Sequence, residues 1–212
     1  MIIRNYLDEL LEYLIKNGSP LPEKVTSGMS RDEIKEKLSF LKRDIPETVY
    51  QLFEWKTGQR FEDEKPPYML HSLCPLVEFY TLDDCIELYK IKRDFGVDKK
   101  YFPLFYNIGM DVWYIDLEDG AKSKVFFYNP GITLSEDPMT IYDSLENMFY
   151  STLKAIEEGI YTYDKGWNID PRQFEFFHKL NPSSLYWDTD KRYEGDDPDD
   201  FEFFDDWNES EK

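Results

Sequence analysis

Residues Tyr101 to Leu117, YFPLFYNIGMDVWYIDL, decide the fold. Phe102, Leu104 and Phe105 form an apolar approach, Asn107 to Met110 make a turn, and a return strand follows. Val112 and Tyr114 alternate with Trp113 and Ile115, so successive side chains face opposite sides of a sheet. Gly109 supplies the positive φ that a tight hairpin turn requires. Asp111 stands at the mouth of that turn, where a carboxylate accepts nearby backbone N–H groups. The expectation is a buried β-hairpin.

Downstream, Glu118 to Gly120 form a turn and Lys124 to Tyr128 (KVFFY) a further strand. The runs 102–106, 112–117 and 124–128 are spaced as an antiparallel meander, ended by Asn129, Pro130 and Gly131. Helical periodicity then predicts a long helix from Thr140 or Ile141 to Glu158, closed by Gly159, with Ile141, Leu145, Met148, Phe149, Leu153 and Ile156 inward. Upstream, Tyr68 to Phe79 is β-prone but interrupted by Pro75, which demotes part of it to an edge or bulge. Thr81 caps a helix from Leu82 to about Lys92. Residues 59–67, with Pro66 and Pro67, read as a loop.

The chain opens with an amphipathic helix over 2–16, carrying Ile3, Tyr6, Leu7, Leu10, Leu11 and Leu14 at helical spacing, and Asn17 and Gly18 end it. Ser30 with Glu33 spells a capping box for a helix running to about Arg43. Pro46 suits the first turn of the next helix, Glu47 to Lys56, which Thr57 and Gly58 stop. Near the other end, Asp170 and Pro171 predict the start of a short helix to Leu180 carrying Phe174 and Phe177. The divisions expected are an N-terminal helix (1–18), an α+β domain (19–159) and an acidic, aromatic extension (160–212).

The 212 residues carry 44 Asp and Glu against 25 Lys and Arg, a formal net charge of −19. That balance argues against nucleic-acid and anionic-membrane binding, both of which want a basic surface, and favours basic partners. No apolar run approaches the ~20 residues of a membrane span. The N-terminal stretch carries acids inside its apolar pattern and lacks a small-residue cleavage site, so it does not read as a signal peptide. Cys74 and Cys85 fit neither a metal-ligand spacing nor a CxxC motif; free buried thiols in a reducing cytoplasm are expected.

Catalytic patterns are scarce. Only His71 and His178 are present, without a second ligand at helical spacing, and no GxSxG, Walker A or dinucleotide glycine pattern occurs. His71 with Cys74 is the sole local nucleophile–base candidate. Asp111 and Asp116 lie five apart on a strand and so project to opposite faces. Asp188 and Asp190 open like a calcium loop, but Arg192 and Tyr193 stand where such a loop needs a ligand and a glycine. No enzyme, cofactor or metal is expected.

Residues 186–212 hold twelve Asp and Glu against three Lys and Arg. Asp197 and Pro198 suit the cap of a short helix on which Phe201, Phe204 and Trp207 recur at three-residue spacing, with Phe203 alongside. Three readings stand: a solvated tail, a segment docked on the body, or rings and charges offered to a partner. The candidate partner contacts are Asp111, Trp113, Asp197, Asp199, Asp200, Phe201, Phe204, Asp205, Asp206 and Trp207.

Three motifs in order resemble the SMI1/KNR4 (SUKH) superfamily. Gly28-Met29-Ser30-Arg31-Asp32-Glu33-Ile34 resembles its helix start. Ile45-Pro46-Glu47 with Tyr50, Leu52 and Phe53 resembles its proline-led helix, although Thr57 stands where an Asn often precedes the glycine. Phe102 to Phe105 with Gly109, Asp111, Trp113 and Asp116 resembles its central strand pair, and Leu145 to Leu153 falls where a final helix follows. The resemblance spans roughly 26–158. It implies a cytoplasmic α+β domain, a single mixed and largely antiparallel sheet flanked by helices. It also implies an immunity protein that neutralises a cognate toxin, often a nuclease, as bacterial members do. The alternative is a scaffolding or regulatory interaction module of the fungal kind.

Overall fold

In the computed structural model of the chain, the described residues are 2–59, 72–75, 77–94, 96–106, 111–120, 123–129 and 138–189. The hairpin turn at 107–110, Gly109 included, the loop 60–67, His71 and residues 190–212 therefore lie outside the described residues.

The first helix, α1 (Ile2–Lys16), buries Ile3, Leu7, Leu10 and Leu14 along one face. A single turn, α2 (Leu21–Lys24), leads into β1 (Val25–Ser27). Ser30 and Glu33 then form the expected capping box: the Ser30 backbone N–H donates to Glu33 Oε2 at 2.8 Å, and Glu33 N–H donates to Ser30 Oγ at 3.3 Å. The helix it opens, α3 (Arg31–Leu38), tightens into a 3-10 turn at Ser39–Leu41, so it stops short of Arg43. Behind Pro46, α4 (Glu47–Trp55) buries Val49, Leu52, Phe53 and Trp55.

Thr57 and Gly58 do not open a loop. They belong to β2 (Lys56–Gln59), which pairs antiparallel with β1. The backbone is already extended at Lys56, and Gly58 takes φ +107 where the Tyr80 carbonyl passes 2.4 Å from the place a Cβ would occupy.

The main sheet has five strands: β3 (Glu78–Phe79), β4 (Tyr101–Tyr106), β5 (Val112–Asp116), β6 (Val125–Tyr128) and β7 (Met139–Tyr142), in that spatial order. Every pairing is antiparallel, so the mixed character expected of the sheet is absent among the described strands. The expected meander is β4–β5–β6, with Trp113 opposite Phe105 and Phe127. β3 is only two residues long, and Pro75 lies three residues ahead of it. Between β3 and β4 runs α5 (Leu82–Asp94), whose Asp84 N–H donates to Thr81 Oγ1 at 3.2 Å.

The long helix begins later than periodicity suggests. Residues 139–142 are β7, and α6 (Leu145–Glu157) starts behind Ser144, whose Oγ accepts the Asn147 N–H at 2.9 Å. Ile141 lies four residues before Leu145, in phase with the helix, yet it is a buried strand residue. Beyond Gly159 come a hairpin of β8 (Tyr161–Tyr163) and β9 (Trp167–Ile169), then α7 (Gln173–Leu180). Asp170 accepts the Arg172 N–H at 2.8 Å, a turn that delays the helix to Gln173.

One core joins the inner face of the sheet to α1, α4, α6 and α7. It crosses both expected divisions. Tyr13 of α1 stacks on Trp167, and its hydroxyl accepts the Tyr163 N–H at 3.0 Å. Leu185 and Tyr186 donate backbone N–H groups to Thr140 at 3.0 Å, and Trp187 stacks on Phe177 at 4.8 Å. Residues 160–187 are thus body rather than appendage. The outer face of the sheet holds a second, smaller cluster of Tyr101, Val112 and Tyr114 with half-buried Tyr106, Phe126 and Tyr128. Among the described residues, no helix is long and apolar enough to cross a membrane.

Candidate interaction surface

Of the ten candidate contacts, Asp111 and Trp113 are described; the eight from Asp197 to Trp207 lie outside the described residues. Trp113 is only 3% exposed, packed edge-on to Phe105 and against Tyr142 at 5.5 Å. The pleat turns it inward, so it has no surface to offer a partner. Asp111 is half-buried and accepts a hydrogen bond from Asn129 Nδ2, tying the start of β5 to the end of β6. Asp116 accepts the Glu118 N–H at 2.7 Å. Both carboxylates hold local chain geometry.

Many exposed acids are already matched. Arg31, inside the Gly28–Ile34 motif, reaches Glu47 at 2.6 Å and Glu54 at 2.7 Å, and this clasp holds the Glu47 carboxyl below its ordinary range. Arg43 pairs with Glu118, Lys37 with Asp83, Lys154 with Glu157 and Arg172 with Asp170.

The seam of α1 and α6 is different. Tyr6 and Tyr150 lie with ring centroids 5.8 Å apart, both half-exposed. With Asp143, Ser144, Glu146 and Asn147 they line a shallow cleft of about 410 Å³. Among the described residues, no Lys or Arg pairs with Glu9, Asp143 or Glu146. Burial raises the Tyr6 hydroxyl above its ordinary value, and Glu146, Tyr150 and Glu9 push it the same way. Rings that anchor and acids that remain unmatched are what contact with a basic protein surface requires. The sequence pattern did carry a signal for this site. Tyr6 with Glu9 and Glu146 with Tyr150 sit at i, i+3 and i, i+4, on one side of each helix.

Three further reactive groups among the described residues are interior. Cys74 and Cys85 are free and buried, and burial pushes the Cys74 thiol up to about 12 and the Cys85 thiol well above its ordinary value. Neither carries thiolate at neutral pH. Glu78 is 2% exposed with no hydrogen-bond partner on Oε1, and burial lifts its carboxyl to about 7.

Comparison with curated proteins gives no match. The family model described as SMI1 / KNR4 family (SUKH-1) matches residues 28–151, from the glycine ahead of the capping box through most of α6. That stretch is more than half of the chain and contains the whole five-stranded sheet, so the chain belongs to the SMI1 / KNR4 family (SUKH-1).

Proposed function

We propose that this protein is a cytoplasmic immunity protein that binds and neutralises a cognate bacterial toxin with a basic surface, of the nuclease type. The observation that carries the reading is the family match over 28–151 on a chain of net charge −19. Family membership supports an immunity role, and the acidic excess supports the chemistry of the partner. Inhibition is steric and electrostatic: the protein occupies the toxin's substrate cleft, and no bond is made or broken. Long-range attraction between an acidic inhibitor and a basic toxin speeds encounter, while desolvated aromatic anchors slow release. The Tyr6–Tyr150 cleft supplies such anchors on the described surface, and Asp197, Asp199, Asp200, Phe201, Phe204, Asp205, Asp206 and Trp207 supply further rings and charge.

The test is co-expression with the toxin-like reading frame adjacent to the gene, scored for rescue of growth and for co-purification. Rescue with a complex that weakens as salt rises supports the reading. A complex indifferent to salt removes its electrostatic part. Failure of any neighbouring product to bind or to inhibit growth overturns it and leaves the scaffolding alternative.

A further inference from the structure

The acidic chain holds one basic strip. Between residues 90 and 100 stand Lys90, Lys92, Arg93, Lys99 and Lys100 against two aspartates, Asp94 and Asp98. Although the chain has 44 carboxylates, none of these five cations forms an ion pair among the described residues. Four of them lie over aromatic rings instead: Lys90 over Phe40 at 5.7 Å, Lys92 over Tyr128 at 5.9 Å, Arg93 over Tyr89 at 5.9 Å and Lys100 over Tyr101 at 4.8 Å. Burial lowers the Lys92 ammonium from its ordinary value, the response of a cation with no anion beside it. Apolar surface accompanies the charge, for Phe40 is 40% and Ile91 44% exposed. One exposed ring, an exposed isoleucine and unmatched cations together fit a ligand that is both acidic and aromatic.

The chain contains such a ligand. Residues 190–212 carry eleven Asp and Glu against three Lys and Arg, with Tyr193, Phe201, Phe203, Phe204 and Trp207 among them. The described body ends at Thr189, just after the 184–187 segment has anchored to β7 and the core. Eleven residues, twelve Cα steps, lie between Thr189 and Phe201. Extended, they span about 40 Å, of the order of the diameter of a domain this size. Tethering also raises the effective concentration of the segment to the order of millimolar, so even a weak peptide affinity fills the strip.

We propose that the exposed side of α5 and the turn after it form a docking surface for an acidic, aromatic peptide, and that its occupant is this chain's own segment 190–212. The contact stands on the charge arrangement and does not depend on the toxin reading. Docked there, the segment is held in reserve, and a more basic partner surface draws it off the strip.

Hydrogen–deuterium exchange on the full chain tests this without any partner. At low salt, amides of 196–208 are expected to exchange about tenfold more slowly than in the free peptide of the same sequence. Reversing three exposed cations together (Lys90→Glu, Arg93→Glu, Lys99→Glu), which leaves the core untouched, is expected to abolish that protection, as is high salt. The pair Phe40→Ser and Ile91→Ser is expected to weaken it with the charges intact. Exchange at the free-peptide rate in the unaltered chain overturns the proposal, and so does protection that survives the charge reversal. Protection that grows with protein concentration overturns it as well, because the occupant is then a second copy.

Discussion

Gly28 has no room for a side chain: a Cβ there would stand 1.9 Å from the Glu54 carbonyl oxygen, on the backbone of α4. Met29 N–H donates to the Phe53 carbonyl at 3.0 Å in the same approach, so the α3 start is seated on the end of α4. Gly28→Ala must push backbone against backbone, and the expected loss is about 1–3 kcal/mol of stability, read as a lower midpoint in denaturant. Ser30→Ala, which removes only the cap, is expected to lose about 1 kcal/mol. Glu78 makes a prediction of opposite sign. Its carboxyl titrates near 7 in the folded chain because burial disfavours the charge, and Tyr80 and Tyr106, which share its face of the sheet, bring no cation. An unfolded glutamate titrates at about 4.3. Between those values the folded chain holds a proton that the unfolded chain has released, so this group's contribution to stability falls as pH rises through that window. Glu78→Gln is therefore expected to melt higher than the parent at about pH 8, with the difference fading toward about pH 4; an unchanged difference across that range removes the desolvation account.

α1 lies ahead of the matched region, yet its Ile3, Leu7, Leu10 and Leu14 are buried and Trp55 Nε1 donates to Asp8 at 2.7 Å across the contact with α4. Leu10→Ala is expected to cost about 2–5 kcal/mol by leaving a cavity in the core beneath α1, whereas the half-buried Leu11 is expected to cost clearly less on the same change. Equal losses in thermal or denaturant melts would mean that α1 is not packed as described. Elements whose pattern is local were legible in the sequence. The α1 stripe, the Ser30–Glu33 box and the alternation of β4 to β6 each declare themselves within a few residues. β7 was not legible, because Ile141 and Tyr142 continue the phase of the helix behind them and only the Ser144 cap marks the true start. The β8–β9 hairpin was missed for a related reason. Its tyrosines and Trp167 are buried by contacts with Tyr13, Ser72 and Phe177, far away in sequence, and three-residue strands show too little alternation to read. Its place near a turn makes Trp113 a candidate contact in the sequence, but its register opposite Phe105 and Phe127 fixes it inward. The Tyr6–Tyr150 cleft needs two helices distant in sequence to meet, which no single window reveals.

Across the whole molecule, charge is sorted rather than spread. Paired acids surround α3 and α4, unmatched acids flank the Tyr6–Tyr150 seam, cations gather at α5, and the strongest run of acids follows Thr189. A basic partner approaching such a surface feels the acids over about 10 Å at ordinary ionic strength, so charge governs encounter and the rings govern residence. These contributions separate by mutation. Glu146→Lys is expected to slow association with the proposed toxin partner and flatten its salt dependence while leaving dissociation nearly unchanged. Tyr150→Ser is expected to do the reverse, weakening the complex by about 2 kcal/mol, roughly thirtyfold, mainly through faster dissociation. Removing residues 190–212 takes away charge and rings together, so both rates should change and growth rescue should fall. If that deletion leaves affinity and rescue intact while Tyr150→Ser abolishes them, the partner is held by the α1–α6 seam alone. If instead neither seam variant alters either rate, the toxin docks elsewhere, and the α1–α6 cleft loses its proposed role.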